Sequence, residues 1–330
     1  MAQGNKERSF YGKYFREGTV LHSLQSAPEE REWLMTPPKG DVKPAEVVLF
    51  LGCNVLKTTH LVRTVMDIFK LLNIEFVAVA GAAYCCGIQH HRRGDTKPAH
   101  SFASATARNF MKFSPERVVM WCPSCIYFYD EIMQMRGDFL FQHVAEFLVE
   151  KLDRLSFQPQ PGVDVAVHYH TGSTQSDVEA RSVFQILSAL PGVNRMDLGV
   201  NDKLGRQCTP ELLASLGDDG WQESVGKTFR DAVEARADIL CTLYHGCQRG
   251  LCRYEMEYPL KVEHYLTLVG RGLGIEHEDR HKKYLLMGDV DAIWEETSAC
   301  AAASGVNEEE ARAIIKSNWV DVNLKSPARR

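Results

Sequence analysis

Ten cysteines carry the most chemistry in this chain: Cys53, Cys85, Cys86, Cys122, Cys125, Cys208, Cys241, Cys247, Cys252 and Cys300. Five of them fall in a tight pattern, with Cys53 upstream of Cys85-Cys86-Gly87 and Cys122-Pro-Ser-Cys125. Thiolates are soft ligands that favour zinc, copper(I) and iron–sulfur clusters. A Cys-x-x-Cys turn delivers two thiolates to neighbouring metal atoms. Adjacent cysteines diverge, which suits a group of several metal atoms better than one tetrahedral ion. Five thiols also exceed the four that a closed zinc site takes. Gly87 removes a side chain where the backbone approaches closely. The plainer reading is a set of core thiols, since free cysteine is often buried.

The rest of the composition narrows the setting. Hydrophobic content of 45% and charged content of 25% are ordinary for a globular chain, and a net charge of −5 gives no reason to expect nucleic acid. No apolar run reaches the ~18 residues of a membrane span. The start, Met1-Ala-Gln-Gly-Asn-Lys-Glu-Arg, lacks the apolar stretch of a signal peptide. A cytoplasmic protein is expected, membrane-associated only through partner subunits. Thiols stay reduced there, so a disulfide scaffold is not expected.

The elements that must position these thiols follow from periodicity. Glu46–Gly52, Phe76–Ala80 and Arg117–Trp121 read as strands buried on both faces. Helices are expected over about His60–Asn73, with Leu61, Val65, Ile68 and Leu72 as one stripe, over Ser101–Phe113 and over Phe139–Leu152. After a linker at Gln158-Pro-Gln-Pro-Gly162, the order repeats. Strands are expected at Val163–Tyr169, Val193–Leu198 and Ala237–Cys241. Helices are expected up to Leu190, between Pro210 and Ala237, and over Pro259–Arg271. The fold class is α/β, with two tandem similar domains at 46–157 and 163–275, each a small parallel sheet covered by helices. Residues 1–45 read as a polar, irregular N-terminal arm and 276–330 as a helical C-terminal tail. Every cysteine of the first pattern follows a strand. Loops beyond the carboxyl ends of parallel strands converge on one edge, where ligands bind.

The pattern Cys53-x31-Cys85-Cys86-Gly87-x34-Cys122-x-x-Cys125 resembles the cysteine-rich CCG domain. That domain occurs in the cysteine-rich subunit of heterodisulfide reductase, in the iron–sulfur subunit of glycolate oxidase, and in lactate-utilisation and sulfur-oxidation proteins. The resemblance implies a noncubane [4Fe-4S] cluster held by Cys53, Cys85, Cys86, Cys122 and Cys125. It also implies an oxidoreductase subunit that exchanges electrons with a thiol/disulfide small molecule or a protein-bound thiol. The partners it implies are a ferredoxin-like iron–sulfur subunit and a flavin subunit. An electron relay without substrate chemistry, or a zinc-bound interaction module, are the alternatives.

The second domain departs from the family pattern. Ser173 in Tyr169-His-Thr-Gly-Ser-Thr174 stands where cysteine belongs, Gln207-Cys208-Thr209 replaces Cys-Cys-Gly, and Tyr244-His-Gly-Cys247 replaces Cys-x-x-Cys. The separations Cys86–Cys125 and Cys208–Cys247 are both 39 positions. Cys208, Cys241, Cys247 and Cys252 are the candidate metal ligands here, for a second iron–sulfur cluster or for zinc with His170 or His245 as a nitrogen donor. Core packing is the competing reading for these four and the preferred one for Cys300.

Three histidines are candidate catalytic groups. His90 and His91, in His90-His-Arg-Arg93, place positive charge beside the first motif. His170, near His168 at the expected interdomain cleft, suits a proton donor to a departing thiolate. Arg249 and Arg253 flank Cys252. A solvated loop or ordinary packing explains any of these equally well. Gly270-Arg-Gly-Leu-Gly274 follows a helix rather than a strand, so it is not a nucleotide-binding fingerprint.

Overall fold

The computed structural model describes residues 2–120, 122–135, 139–170, 173–199, 208 and 210–321. Trp121, Thr171, Gly172, Gln207 and Thr209, named above as parts of strands or motifs, lie outside the described residues, as does the tail beyond 321.

Strands β1 (Val47–Gly52), β2 (Phe76–Ala80), β3 (Arg117–Met120) and β4 (Leu140–His143) form one sheet in the order β2-β1-β3-β4. β1 pairs in parallel with both β2 and β3. Strands β5 (Val163–His168), β6 (Val193–Met196), β7 (Ile239–Thr242) and β8 (Lys261–His264) form a second, parallel sheet in the matching order β6-β5-β7-β8. The fold is α/β, as the alternating pattern predicts. β1 is buried along its whole length, which is why it reads as an unbroken apolar run.

Along the chain the helices are α1 (Ala2–Gln25), α2 (Thr59–Leu71), α3 (Ile88–Arg92), α4 (Thr96–Met111), α5 (Pro123–Tyr127), α6 (Val144–Val149), α7 (Thr174–Ser188), α8 (Pro210–Glu234), α9 (His245–Leu251), α10 (Tyr265–Gly272), α11 (Arg280–Met287), α12 (Val290–Ala303) and α13 (Glu308–Ile315). The stripe Leu61, Val65, Ile68 and Leu72 is buried as expected. The described residues divide into two compact units. One is drawn from Met1–Val62, Asn73–Gln142 and Asp279–Val322, the other from Arg63–Leu72 and His143–Glu278.

Two expectations about elements change. The stretch 1–45 is not irregular, because α1 occupies most of its first half. Its apolar periodicity is weak and Gly4, Gly12 and Gly18 interrupt it, so local propensity hides it. Tertiary contact supports it instead: Val20, Leu21 and Leu24 are buried, and Arg16 makes a two-pronged ion pair with Glu310 of α13. Each expected closing helix also begins with a strand. Leu140–His143 and Lys261–His264 pair as edge strands, and only then do α6 and α10 start. The ring Nδ1 atoms of His143 and His264 accept hydrogen bonds from the amides of Ala145 and Leu266 and cap these helices. The strand and helix share one apolar stretch, so the change of period is not visible in it.

The first core lies between β1, β2, β3 and the helices over them, and includes Val48, Phe50, Val79, Tyr84, Ala99, Ala103, Phe110, Met120, Phe128 and Tyr129. Gly87 joins the second strand's loop to α3 with φ of +91°, and a Cβ there would collide with the Ala99 carbonyl of α4. Helix packing therefore dictates this glycine. Gly87→Ala is expected to cost about 2 kcal/mol or more, from left-handed strain plus the clash. Denaturant unfolding of the two proteins measures it, and an unchanged midpoint would refute the assignment.

Candidate metal centre

Cys53 directly follows β1. Cys85 and Cys86 follow β2 through a 3-10 turn at Ala82–Tyr84. Cys122 and Cys125 bracket the start of α5 just beyond β3, with Pro123 at its first position. Three loop tips thus carry five thiols to one sheet edge. Cys85, Cys86 and Cys125 are buried, Cys53 and Cys122 are half-buried, and all five are free.

The group centres on the pair Cys86 and Cys125, where the Cys125 Sγ donates to the Cys86 Sγ at 3.2 Å. Each of the other three thiols is influenced by a neighbouring sulfur, Cys53 by Cys85, Cys85 by Cys86, and Cys122 by Cys125. Backbone groups fix the thiols further. The Gly87 amide donates to the Cys85 Sγ at 3.4 Å, and the Thr106 hydroxyl donates to the Cys85 carbonyl at 2.9 Å.

Crowding splits the thiol acidities. Hydrogen bonds from Cys125 and Cys85 pull Cys86 down to about 6. A hydrogen bond from Cys125, against burial, also depresses Cys122, and the amides of Cys125 and Ser124 add to it. Cys53 is pushed well up by its bond to Cys85 and by burial. Its bond to Cys53 favours the Cys85 thiolate, but Cys86 and burial outweigh this and push Cys85 up to about 12. Cys125, donor to both Cys122 and Cys86, is raised well above an ordinary thiol. Five thiolates in this volume require cationic metal between them.

The donor set fits an iron–sulfur group: sulfur only, five atoms rather than four, brought together from three separate loop tips.

Two residues beside these thiols, Tyr14 and Lys57, have no local sequence signal, and a third, Arg92, belongs to the charged segment His90-His-Arg-Arg93. Tyr14 of α1 stands close enough to Cys53 for each to shift the other's acidity. Lys57, nearly buried, pairs with Glu17 of α1 at 2.7 Å and favours the Cys53 thiolate through its charge. Its ammonium also stands 5.8 Å from the centre of the Tyr14 ring. Tyr14 and Glu17 are three residues apart on a helix that periodicity does not reveal. Arg92 of α3 donates to the Ser124 hydroxyl, inside the Cys-Pro-Ser-Cys turn, at 3.1 Å.

The candidate histidines separate. His90 is buried between Tyr11, at 3.7 Å, and Phe102, at 4.9 Å, and burial lowers its basicity. His91 lies 5.3 Å from the Phe128 ring. His170 belongs to a second group of donors. Its Nε2 is 3.3 Å from the Cys247 Sγ and 3.8 Å from the Cys208 Sγ. With His168, one donor atom from each of the four residues lies within 4.8 Å of all the others.

Cys241 and Cys252 do not join this group. Cys241 is inside β7, in register with Val167 and Glu263, and burial raises its thiol. The Cys252 thiol donates to the Arg249 carbonyl at 3.6 Å. Ser173, at the expected cysteine position, caps α7 by accepting from the Ser176 amide at 3.1 Å. The repeat itself is visible in the ladders. Cys122 and Cys125 lie two and five residues beyond the pair Phe50–Met120, as Tyr244 and Cys247 lie beyond His168–Thr242.

Residues 47–129 match the family model of a cysteine-rich domain, CCG, a segment that includes all five first-unit cysteines. A search of curated proteins gave no match.

The split acidities predict an order of alkylation in the metal-free protein at neutral pH. Cys122, half-exposed and depressed, is expected to react with iodoacetamide ahead of Cys53, half-exposed but raised. Peptide mass mapping over time reads the order. Faster labelling of Cys53 would contradict these acidities.

Proposed function

We propose that this chain, whose residues 47–129 match a CCG cysteine-rich domain, is the iron–sulfur subunit of a heterodisulfide reductase-like complex. In this reading it passes electrons to or from a thiol/disulfide substrate at a noncubane [4Fe-4S] cluster held by Cys53, Cys85, Cys86, Cys122 and Cys125. The observation that carries the reading is the placement of these five free thiols just beyond β1, β2 and β3, with the Cys125 and Cys86 sulfurs 3.2 Å apart. When bound, the cluster supplies one-electron redox chemistry and iron that can take up a thiolate.

The chain's own residues do the rest. The Gly87 amide donates a hydrogen bond to the Cys85 sulfur, and the Tyr14 phenol stands beside Cys53 as a further donor. Such bonds lower the electron density on sulfur and raise the reduction potential. Lys57 adds positive charge near Cys53 and acts in the same direction. Tyr84, Phe50, Phe128 and Met120 belong to the same buried apolar cluster as Cys86 and Cys125 and keep water from that side of the thiols. Arg92, anchored on Ser124, places a cation where an anionic thiol substrate would approach. His91 stays the candidate for positive charge beside this loop, whereas His90 is packed between two aromatic rings. His170 stands against Cys247 and Cys208, where it can serve either as a proton donor to a thiolate or as a ligand. A ferredoxin-like subunit and a flavin subunit remain the proposed electron partners.

Full-length protein purified without oxygen is expected to be brown, with about four irons and four acid-labile sulfides per chain. Cys85→Ser and Cys122→Ser should each lose most of the iron. Zinc in place of iron would overturn the reading. Adding a small-molecule disulfide to the reduced protein should change the cluster's electron paramagnetic resonance spectrum. An unchanged spectrum would mark a pure electron relay.

A further inference from the structure

We infer that His168, His170, Cys208 and Cys247 form a closed, mononuclear zinc site in the second unit. Four donors come from three places in the fold. His168 ends β5 and His170 follows it, Cys208 precedes α8, and Cys247 lies on α9. Their donor atoms all lie within 4.8 Å of one another.

The spacing selects a single ion. With metal–sulfur bonds of about 2.3 Å and metal–nitrogen bonds of about 2.0–2.1 Å, a tetrahedron places sulfur and nitrogen ~3.6 Å apart. The two measured sulfur–nitrogen distances, 3.3 and 3.8 Å, bracket that value. A two-iron centre can also use two cysteines and two histidines, with the thiolates on one iron and the imidazoles on the other. Sulfur and nitrogen would then stand on opposite sides of the iron pair. Here both sulfurs approach one imidazole nitrogen, the Nε2 of His170. A cubane is disfavoured because Cys241 and Cys252 are directed elsewhere, which leaves only two sulfurs in the group.

Burial supplies an independent argument. His168 is buried, and neither of its ring nitrogens has a hydrogen-bond partner outside this group. An imidazole with two unsatisfied buried nitrogens is costly, and a metal bond to one of them relieves that cost. Charge balances as well. Binding a divalent zinc ion releases the two thiol protons, and two thiolates with two neutral imidazoles make an electrically neutral centre. Four protein ligands leave no open position, which is the hallmark of a structural site rather than a hydrolytic one. The ion would join the end of β5 to α9 across 79 positions, from His168 to Cys247. The His170 ring is itself backed by Tyr244 at 5.1 Å, and the Tyr244 hydroxyl donates to the buried Glu179 at 2.5 Å.

Metal analysis of the full-length protein, purified without added metal, tests this. One zinc per chain is expected, retained in Cys85→Ser and Cys122→Ser, so loss of the first-unit cluster and loss of this site are read separately. Cys247→Ser and His170→Asn should each drop zinc below about a tenth of an equivalent, while Cys252→Ser keeps it. Replacing the ion of the wild-type chain with cobalt(II) should give the intense visible bands of a tetrahedral centre with two sulfur ligands. That readout needs no variant to fold. Absence of zinc from the wild-type chain, full retention in Cys247→Ser, a six-coordinate cobalt spectrum, or a loss of iron rather than zinc in Cys247→Ser would each overturn the assignment.

Discussion

A thiol out of water gives up its proton only where hydrogen-bond donors or positive charge stand beside it, and five thiols gathered at one sheet edge multiply that requirement. This is the constraint on which the first unit depends. Parallel pairing of β1 with β2 and β3 brings Cys53, Cys85, Cys86, Cys122 and Cys125 to one edge. Donation to a neighbouring sulfur and burial then raise Cys53, Cys85 and Cys125, whereas Cys86 and Cys122 are lowered by the hydrogen bonds they accept. Such a set gains most from a metal group that replaces several protons at once.

The surroundings serve the same constraint. α1 brings a phenol to Cys53 and, through Glu17, helps fix the Lys57 ammonium nearby. α1 is in turn held by the C-terminal helices, through the Arg16–Glu310 pair and through Arg31, which donates to Ser304 at 2.9 Å. Helix α1 and the segments around Ser304 and Glu310 therefore belong to the support of the first site. The second unit repeats the strand order, and at the matching edge of its own sheet it gathers two imidazoles with two thiols instead of thiols alone.

Much of this was legible in the sequence, for identifiable reasons. β1 announces itself because a strand covered on both faces must be apolar throughout. The five first-unit cysteines announce themselves through short motifs and their position after strands. α1 does not, because its stability comes from Arg16, Val20, Leu21 and Leu24 meeting other elements rather than from its own periodicity. β4 and β8 were hidden because each runs without a break into the helix that its own terminal histidine caps. The second donor group was half legible. Cys208 and Cys247 follow from the repeat, but Cys241 and Cys252 are drawn away by strand register and by a local carbonyl. His168 and His170 take the remaining places. No spacing rule reveals that exchange, since strand-end histidines look alike whether they bind metal or pack.

The most direct test of the central claim is anomalous diffraction from crystals of oxygen-free protein, recorded on both sides of the iron absorption edge. The account predicts iron peaks within bonding distance of Cys53, Cys85, Cys86, Cys122 and Cys125. Disulfides linking these sulfurs, or no iron signal among them, would contradict it.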